Sequence, residues 1–138
     1  MADKIRKVSY YYTMVPNRPG RGAKILGALR TAKVNLLCFS GFPGSGGRAQ
    51  LDFVPEDGPA FVRVARKAGV KPSSKKTGFL IDGTDRIGAC ANVIEKLAKA
   101  KINVVAMDAV AVAGGRYGAI LWVKAKDVAR AARALGAR

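Results

Sequence analysis

Hydrophobic and polar positions along this chain alternate between two rhythms, the two-residue period of strands and the 3.6-residue period of helices. Val8-Ser9-Tyr10-Tyr11-Tyr12-Thr13-Met14-Val15 is rich in β-branched and aromatic residues and predicts a strand stopped by Pro16. A turn at Asn17-Arg18-Pro19-Gly20-Arg21-Gly22 follows. Small or apolar residues then recur at Gly22, Ile25, Leu26, Leu29 and Ala32, one face of a helix, with Lys24, Arg30 and Lys33 opposite. Val34 to Ser40 is mostly apolar and predicts a second strand. Gly41 to Gly47 has the composition of a loop, and Arg48 to Val54 alternates as a half-buried strand does. Asp57-Gly58-Pro59 opens a second helix with Phe61, Val64, Ala65 and Ala68 on one face and Gly69 at its end. The polar stretch Val70 to Lys76 is either a linker or a short last strand.

The same pattern then starts again. Asp85-Arg86-Ile87-Gly88 stands 68 positions after Asn17-Arg18-Pro19-Gly20, and Ile102-Asn103-Val104-Val105 stands 68 after Val34-Asn35-Leu36-Leu37. Thr77 to Ile81 is the second copy's first strand. Its helix stripe, Cys90, Val93, Ile94, Leu97 and Ala100, repeats the first at the same offset. Strands are expected over 102–112 and 117–123, and a last helix with Val128, Ala131, Ala132 and Leu135 inward, capped by Asp127. No residues remain for a last strand. Each copy is thus β-α-β-β-α with an optional final β. Even spacing of helices between strands predicts an α+β fold, two ferredoxin-like units at 1–74 and 75–138, each an antiparallel sheet with helices on one face. Units this small are marginal alone, so the two are expected to associate.

Composition narrows the function classes. The chain has 138 residues, 49% of them hydrophobic, which is enough for a packed core. No apolar run approaches the ~20 residues of a membrane span and no signal-peptide pattern follows Met1, so a cytoplasmic protein is expected. There is no His, and the two cysteines, Cys38 and Cys90, do not correspond under the repeat. Zinc spacings are absent, the commonest general base is missing, and both cysteines read as small apolar core residues. Asp52, Glu56, Asp57 and Glu95 form no nucleophile–base set, so no enzyme, metal or cofactor is expected. The net charge of +16 favours anionic partners, whether acidic metabolites or nucleic acid.

The two turns and the Leu29-Arg30-Thr31-Ala32-Lys33-Val34-Asn35 and Leu97-Ala98-Lys99-Ala100-Lys101-Ile102-Asn103 helix endings resemble ACT domains, small regulatory modules that bind amino acids. The likeness covers nearly the whole chain in two gap-free copies. It implies a stand-alone regulator or sensor, cytoplasmic and homodimeric, binding an amino acid or small acidic metabolite between paired modules and acting on a separately encoded enzyme. By position it implicates Asn17, Arg18, Gly20, Gly22 and Asn35 in the first copy, and Asp85, Arg86, Gly88 and Asn103 in the second. The first turn departs from the family's acidic D-R-x-G by carrying Asn17, with Arg18 and Arg21 beside it, which suits an acidic ligand; the second retains Asp85. The same residues have a structural reading too: Asn17 and Asp85 as helix caps, Asn35 and Asn103 as turn fasteners. The alternative function is RNA or single-stranded DNA binding, since RNA-recognition motifs share the βαββαβ order and stack bases on sheet aromatics. Tyr10, Tyr11, Tyr12, Tyr117 and Trp122 are the candidates.

Overall fold

A computed structural model describes residues 3–138. The elements run β1 (Lys4–Pro16), α1 (Arg21–Thr31), β2 (Leu36–Pro43), β3 (Arg48–Pro55), α2 (Gly58–Lys67), β4 (Lys76–Thr84), α3 (Ala89–Lys99), β5 (Val104–Val112), β6 (Arg116–Val123) and α4 (Val128–Leu135), with a 3-10 turn at Ala125–Asp127. The fold is α+β with antiparallel sheets and ferredoxin-like units, each with two helices on one face of its sheet.

Contacts divide the chain into two compact units. One is Ser9–Lys76, here the inserted unit. The other joins Thr77–Arg138 to the N-terminal segment up to Val8, here the host unit. The expected cut between 74 and 75 therefore moves to 76/77, and a second boundary falls inside β1. The sequence pattern left the second copy one strand short. Lys4–Val8, the first half of β1, takes that place beside β4. The Lys7 N–H donates to the Arg138 carbonyl (3.0 Å) and the Arg138 N–H to the Ile5 carbonyl (3.1 Å).

In the inserted unit the strand order is β2-β3-β1, with Tyr11 opposite Phe53 and Phe39 also opposite Phe53. Tyr11, Val15, Ile25, Leu29, Leu51, Phe53, Phe61 and Ala65 form its core. The Phe61 ring lies 5.3 Å from Tyr11 and 4.9 Å from Phe53, centroid to centroid. Burying each such side chain stabilises by about 1.5–3 kcal/mol. The stretch after α2 is no regular strand, but it runs along β1: the Ser73 N–H donates to the Tyr12 carbonyl at 2.8 Å. In the host unit the order is β4-β6-β5, and Phe79, Ile81, Val93, Leu97, Leu121, Ala131 and Ile5 pack its core.

The backbone itself repeats. Gly20 (φ 89) and Gly88 (φ 80) enter the helices from the left-handed region, where a side chain would be strained. Lys33 (φ 60) and Lys101 (φ 58) end α1 and α3 in that region. Their successors close Schellman stops, Val34 N–H to the Leu29 carbonyl at 2.9 Å and Ile102 N–H to the Leu97 carbonyl at 3.0 Å. Register breaks at Leu36/Cys38 and at Val104/Ala106 correspond as well.

Several local expectations change. Gly41–Pro43, expected as loop, completes β2, because Gly41 and Phe42 continue the ladder opposite Leu51 and Gln50. α3 buries Ala89, Val93 and Leu97, which turns its stripe so that Cys90 is exposed rather than in the core. Cys38 is only half-buried. α2 starts where expected, and the Asp57 carboxylate caps it, accepting from the Ala60 N–H at 3.0 Å. Asp127 does not cap α4; it accepts from Arg130 at 3.1 Å.

Because Ile5 belongs to the host core, Ile5→Ala is expected to cost about 2–4 kcal/mol and to loosen β4 and β6 while sparing α1 and α2. Hydrogen exchange of the variant checks this; protection lost first in α1 and α2 would contradict the assignment of Lys4–Val8.

Candidate functional site

The two turns are built alike. Pro16 ends β1, and the Asn17 N–H donates to the Gly47 carbonyl at 2.9 Å. In the host unit the Asp85 N–H donates to the Gly115 carbonyl at the same distance. Each turn is thereby tied to the hairpin tip of its own unit. Neither Asn17 nor Asp85 caps a helix: the caps are Gly20 and Gly88, without side-chain hydrogen bonds. The capping role is thus corrected for both residues. The physical reason is that each helix starts four residues later, at Arg21 and Ala89, out of their reach. The Arg21 and Ala89 N–H groups donate back to the Arg18 and Arg86 carbonyls at 3.4 and 3.2 Å, and the N–H groups that follow in each first turn suit an anion or water.

Asp85, Arg86 and Gly88 border a shallow hollow of about 290 Å³ with Ala109, Val110 and Tyr117. Asn35 is elsewhere. Its amide donates to Glu56 Oε1 at 2.9 Å, and its carbonyl accepts from the Glu56 N–H at 3.0 Å, so it fastens the β2 start. It borders a separate hollow with Leu26, Arg30 and Lys33. The 11 residues of α1 separate Asn35 from the Asn17 turn, about 16 Å of helix. Asn103 is exposed at the corresponding place beyond α3. Within one unit, therefore, turn and asparagine do not meet on one small ligand. Asn17, Arg18 and Gly20 are exposed and Gly22 is half-buried.

Arg86 is already engaged. Its Nη1 donates to Asp3 Oδ1 at 3.0 Å and to the Thr84 carbonyl at 2.7 Å, and Nη2 reaches Asp3 Oδ2 at 3.3 Å. The Tyr117 hydroxyl donates to the same carboxylate at 2.9 Å. A Cβ at Gly83 would collide with the Asp3 carboxylate and come within 2.7 Å of the Tyr117 ring, so glycine there makes room for the cluster. Burial works against ionisation of Asp3, but the Arg86 and Tyr117 hydrogen bonds outweigh it and hold the carboxyl below its usual range. Burial, reinforced by the Asp3 carboxylate, pushes Tyr117 up to about 12. Asp3 was not singled out from the sequence, and Arg86 is the only candidate residue whose guanidinium is committed this way. Near it, Arg116 pairs with Asp82.

Of the five aromatics expected to stack bases, three are buried and two, Tyr10 and Tyr12, are half-buried. Tyr11, Tyr117 and Trp122 are buried, each at 5% exposure or less. Tyr11 packs on Phe61, and the Lys76 ammonium lies 5.8 Å over the half-buried Tyr12 ring.

No protein-family model and no curated protein matches the sequence. Solved structures do. A protein from Bacteroides thetaiotaomicron is similar with TM-score 0.82 and 14% identity, over 96% of this chain and 88% of that one. The ligand-free regulatory subunit of aspartate kinase from Thermus thermophilus is similar with TM-score 0.69 and 17% identity, over 99% and 95%. The corresponding subunit from Thermus flavus gives 0.62 and 19%, over 99% and 95%. The fold is that of the ACT modules. In this chain that fold is laid out with the inserted unit interrupting the host unit after Val8. Among the described residues no helix is long and apolar enough to cross a membrane, and no group of three metal-ligating side chains occurs.

The Asp3 cluster gives a signed pH dependence. A folded-state pKa below 3.8 means its stabilisation is present above 3.8 and is lost as the pH falls through the folded value. Asp3→Asn is expected to cost about 1–3 kcal/mol at neutral pH, with the gap to the parent closing in acid. Urea unfolding from pH 7 down to pH 2 measures it, and a gap that ignores pH would count against the ion pair.

Proposed function

We propose that this is a regulatory ligand-binding protein that senses an amino acid or small acidic metabolite and acts on a separately encoded enzyme. The observation carrying this reading is the pair of uncapped helix starts, each entered through a left-handed glycine and each tied to a hairpin tip. Backbone N–H groups so placed suit a ligand carboxylate, and Asp85 supplies an acceptor for an amino group. Asn17, Arg18, Gly20 and Gly22 would form one site and Asp85, Arg86 and Gly88 the other. Asn35 and Asn103 would reach a ligand at a turn only from another module. The regulatory subunits of aspartate kinase that share the fold support a partner enzyme.

A homodimer fits the same reading. β2 and β5 each pair with one strand only, and they expose Phe39, Phe42, Val105, Val110 and Val112. Apolar edge strands are places where sheets extend between chains. The burial of Tyr11, Tyr117 and Trp122 argues against base stacking on these three rings.

Thermal denaturation with millimolar amino acids and dicarboxylates tests the proposal. A ligand at 100 times its dissociation constant adds about 2.7 kcal/mol, a rise of several degrees for a unit of this size. Asn17→Ala and Asp85→Ala are expected to reduce that rise unequally, because only the second turn carries an acid. No rise with any compound defeats the sensor reading. For the dimer, Val110→Lys is expected to give monomers in sedimentation equilibrium; an unchanged mass removes β5 as the interface.

A further inference from the structure

The inserted unit contains a cavity of about 600 Å³ between the end of β1, the first turns of α1 and the stretch that follows α2. Its lining includes Arg21, Lys24, Arg48 and Lys71, and no Asp or Glu. None of the nine candidate site residues lines it, although Pro16 and Arg21 in its wall flank the Asn17 turn, so the cavity adjoins that turn. Ligand cavities for metabolites run about 300–1,000 Å³.

The walls are held by bonds that a plain strand pair would not need. Thr13 Oγ1 donates to the Lys71 carbonyl at 3.1 Å, and the Tyr12 N–H donates to Ser73 Oγ at 3.0 Å. Together with the Ser73–Tyr12 backbone bond, these set Lys71 at the rim. Gly69 turns the chain out of α2 at φ 80, and the Val70 N–H closes the stop on the Ala65 carbonyl at 2.9 Å. Arg48 Nη2 donates to the Met14 carbonyl at 3.3 Å, which steadies its guanidinium without neutralising it.

The host unit serves as an internal control. At the positions 68 later, Arg21 becomes Ala89 and Lys24 becomes Asn92. Arg48 becomes Arg116, but Met14 becomes Asp82, and these two form an ion pair. Of the three charges that have a counterpart, the host copy has lost two and paired the third. The other gathers four cations around one cavity with no counter-charge in its lining. Like charges brought together in this way repel, and a bound anion relieves the repulsion.

We propose that this cavity binds a small organic polyanion, one carrying at least two negative charges and no ammonium group. An amino acid is disfavoured because no lining carboxylate meets its ammonium. The lining carbonyls of Tyr12, Met14 and Lys71 already accept hydrogen bonds. Phosphate esters and polycarboxylates share the required chemistry.

Titration calorimetry at low ionic strength tests this with citrate, glucose 6-phosphate, glutamate and a short single-stranded RNA as probes. Saturable one-to-one binding of citrate or glucose 6-phosphate, weaker at higher salt, is expected. The tighter of the two identifies the anionic group. Lys71→Ala and Lys24→Asn are each expected to weaken it by about tenfold, some 1.4 kcal/mol. Arg116→Ala in the host unit is expected to leave it unchanged. All three positions are surface-exposed or half-buried, and circular dichroism verifies folding. The proposal is overturned if neither probe saturates, if glutamate binds as tightly, or if Arg116→Ala abolishes binding while Lys71→Ala does not. RNA binding that citrate and glucose 6-phosphate fail to displace also overturns it. A normal thermal response to amino acids in Lys71→Ala keeps this outcome separate from that of the turn sites.

Discussion

β1 is the constraint on which both units depend. Its 13 residues extend about 43 Å, and its two halves serve different cores. Ile5 packs with Phe79, Ile81 and Leu121 in the host unit, while Tyr11 and Val15 pack with Phe53 and Phe61 in the inserted unit. Ile5 and Val8 are buried in its first half, and Tyr11, Thr13 and Val15, at alternate positions, in its second. A one-residue slip would turn these side chains to the opposite face, so the register of one strand is specified from both ends at once. The strand also positions chemistry. Its first residues follow Asp3, which anchors Arg86 and Tyr117, and its last residues form a wall of the cationic cavity.

The two copies share a backbone and differ in charge. Left-handed glycines before the helices, lysine-ended Schellman stops and register breaks recur at matching places. These features are set by backbone geometry, which tolerates few alternatives. Side chains on the frame are freer. Where the host unit has Gly83 and Tyr117, with room for a carboxylate between them, the inserted unit has Val15 and Ala49. A duplicated scaffold can thus hold a closed, charge-balanced cluster in one copy and an open basic cavity in the other. The net charge of +16 is in this light partly local.

Much of the architecture was legible in the residues. The order of elements, the two copies, the helix start at Asp57-Gly58-Pro59 and the inward face of α4 all follow from short-range rules. Alternation, helical spacing, Gly and Pro punctuation and capping each operate within a few residues. The site was legible only in part. Asp85, Arg86 and Gly88 do lie together, as their adjacency in sequence requires. Asn35 is held by Glu56 rather than by the turn, since a full helix intervenes. The sheet aromatics read as a stacking surface because period alone cannot tell which face of a strand a helix will cover.

By itself, then, the sequence determined the repeated β-α-β-β-α frame, because every signal for it is local and occurs twice. The tertiary structure decided which residues complete each frame. Asp3 meets Arg86 across a sequence separation of 83, Lys4–Val8 leaves its neighbours to finish the other unit's sheet, and Arg21, Lys24, Arg48 and Lys71 gather around one cavity. Such contacts join segments far apart along the chain. Their partners are selected by packing in three dimensions, and no periodicity in the sequence records that choice.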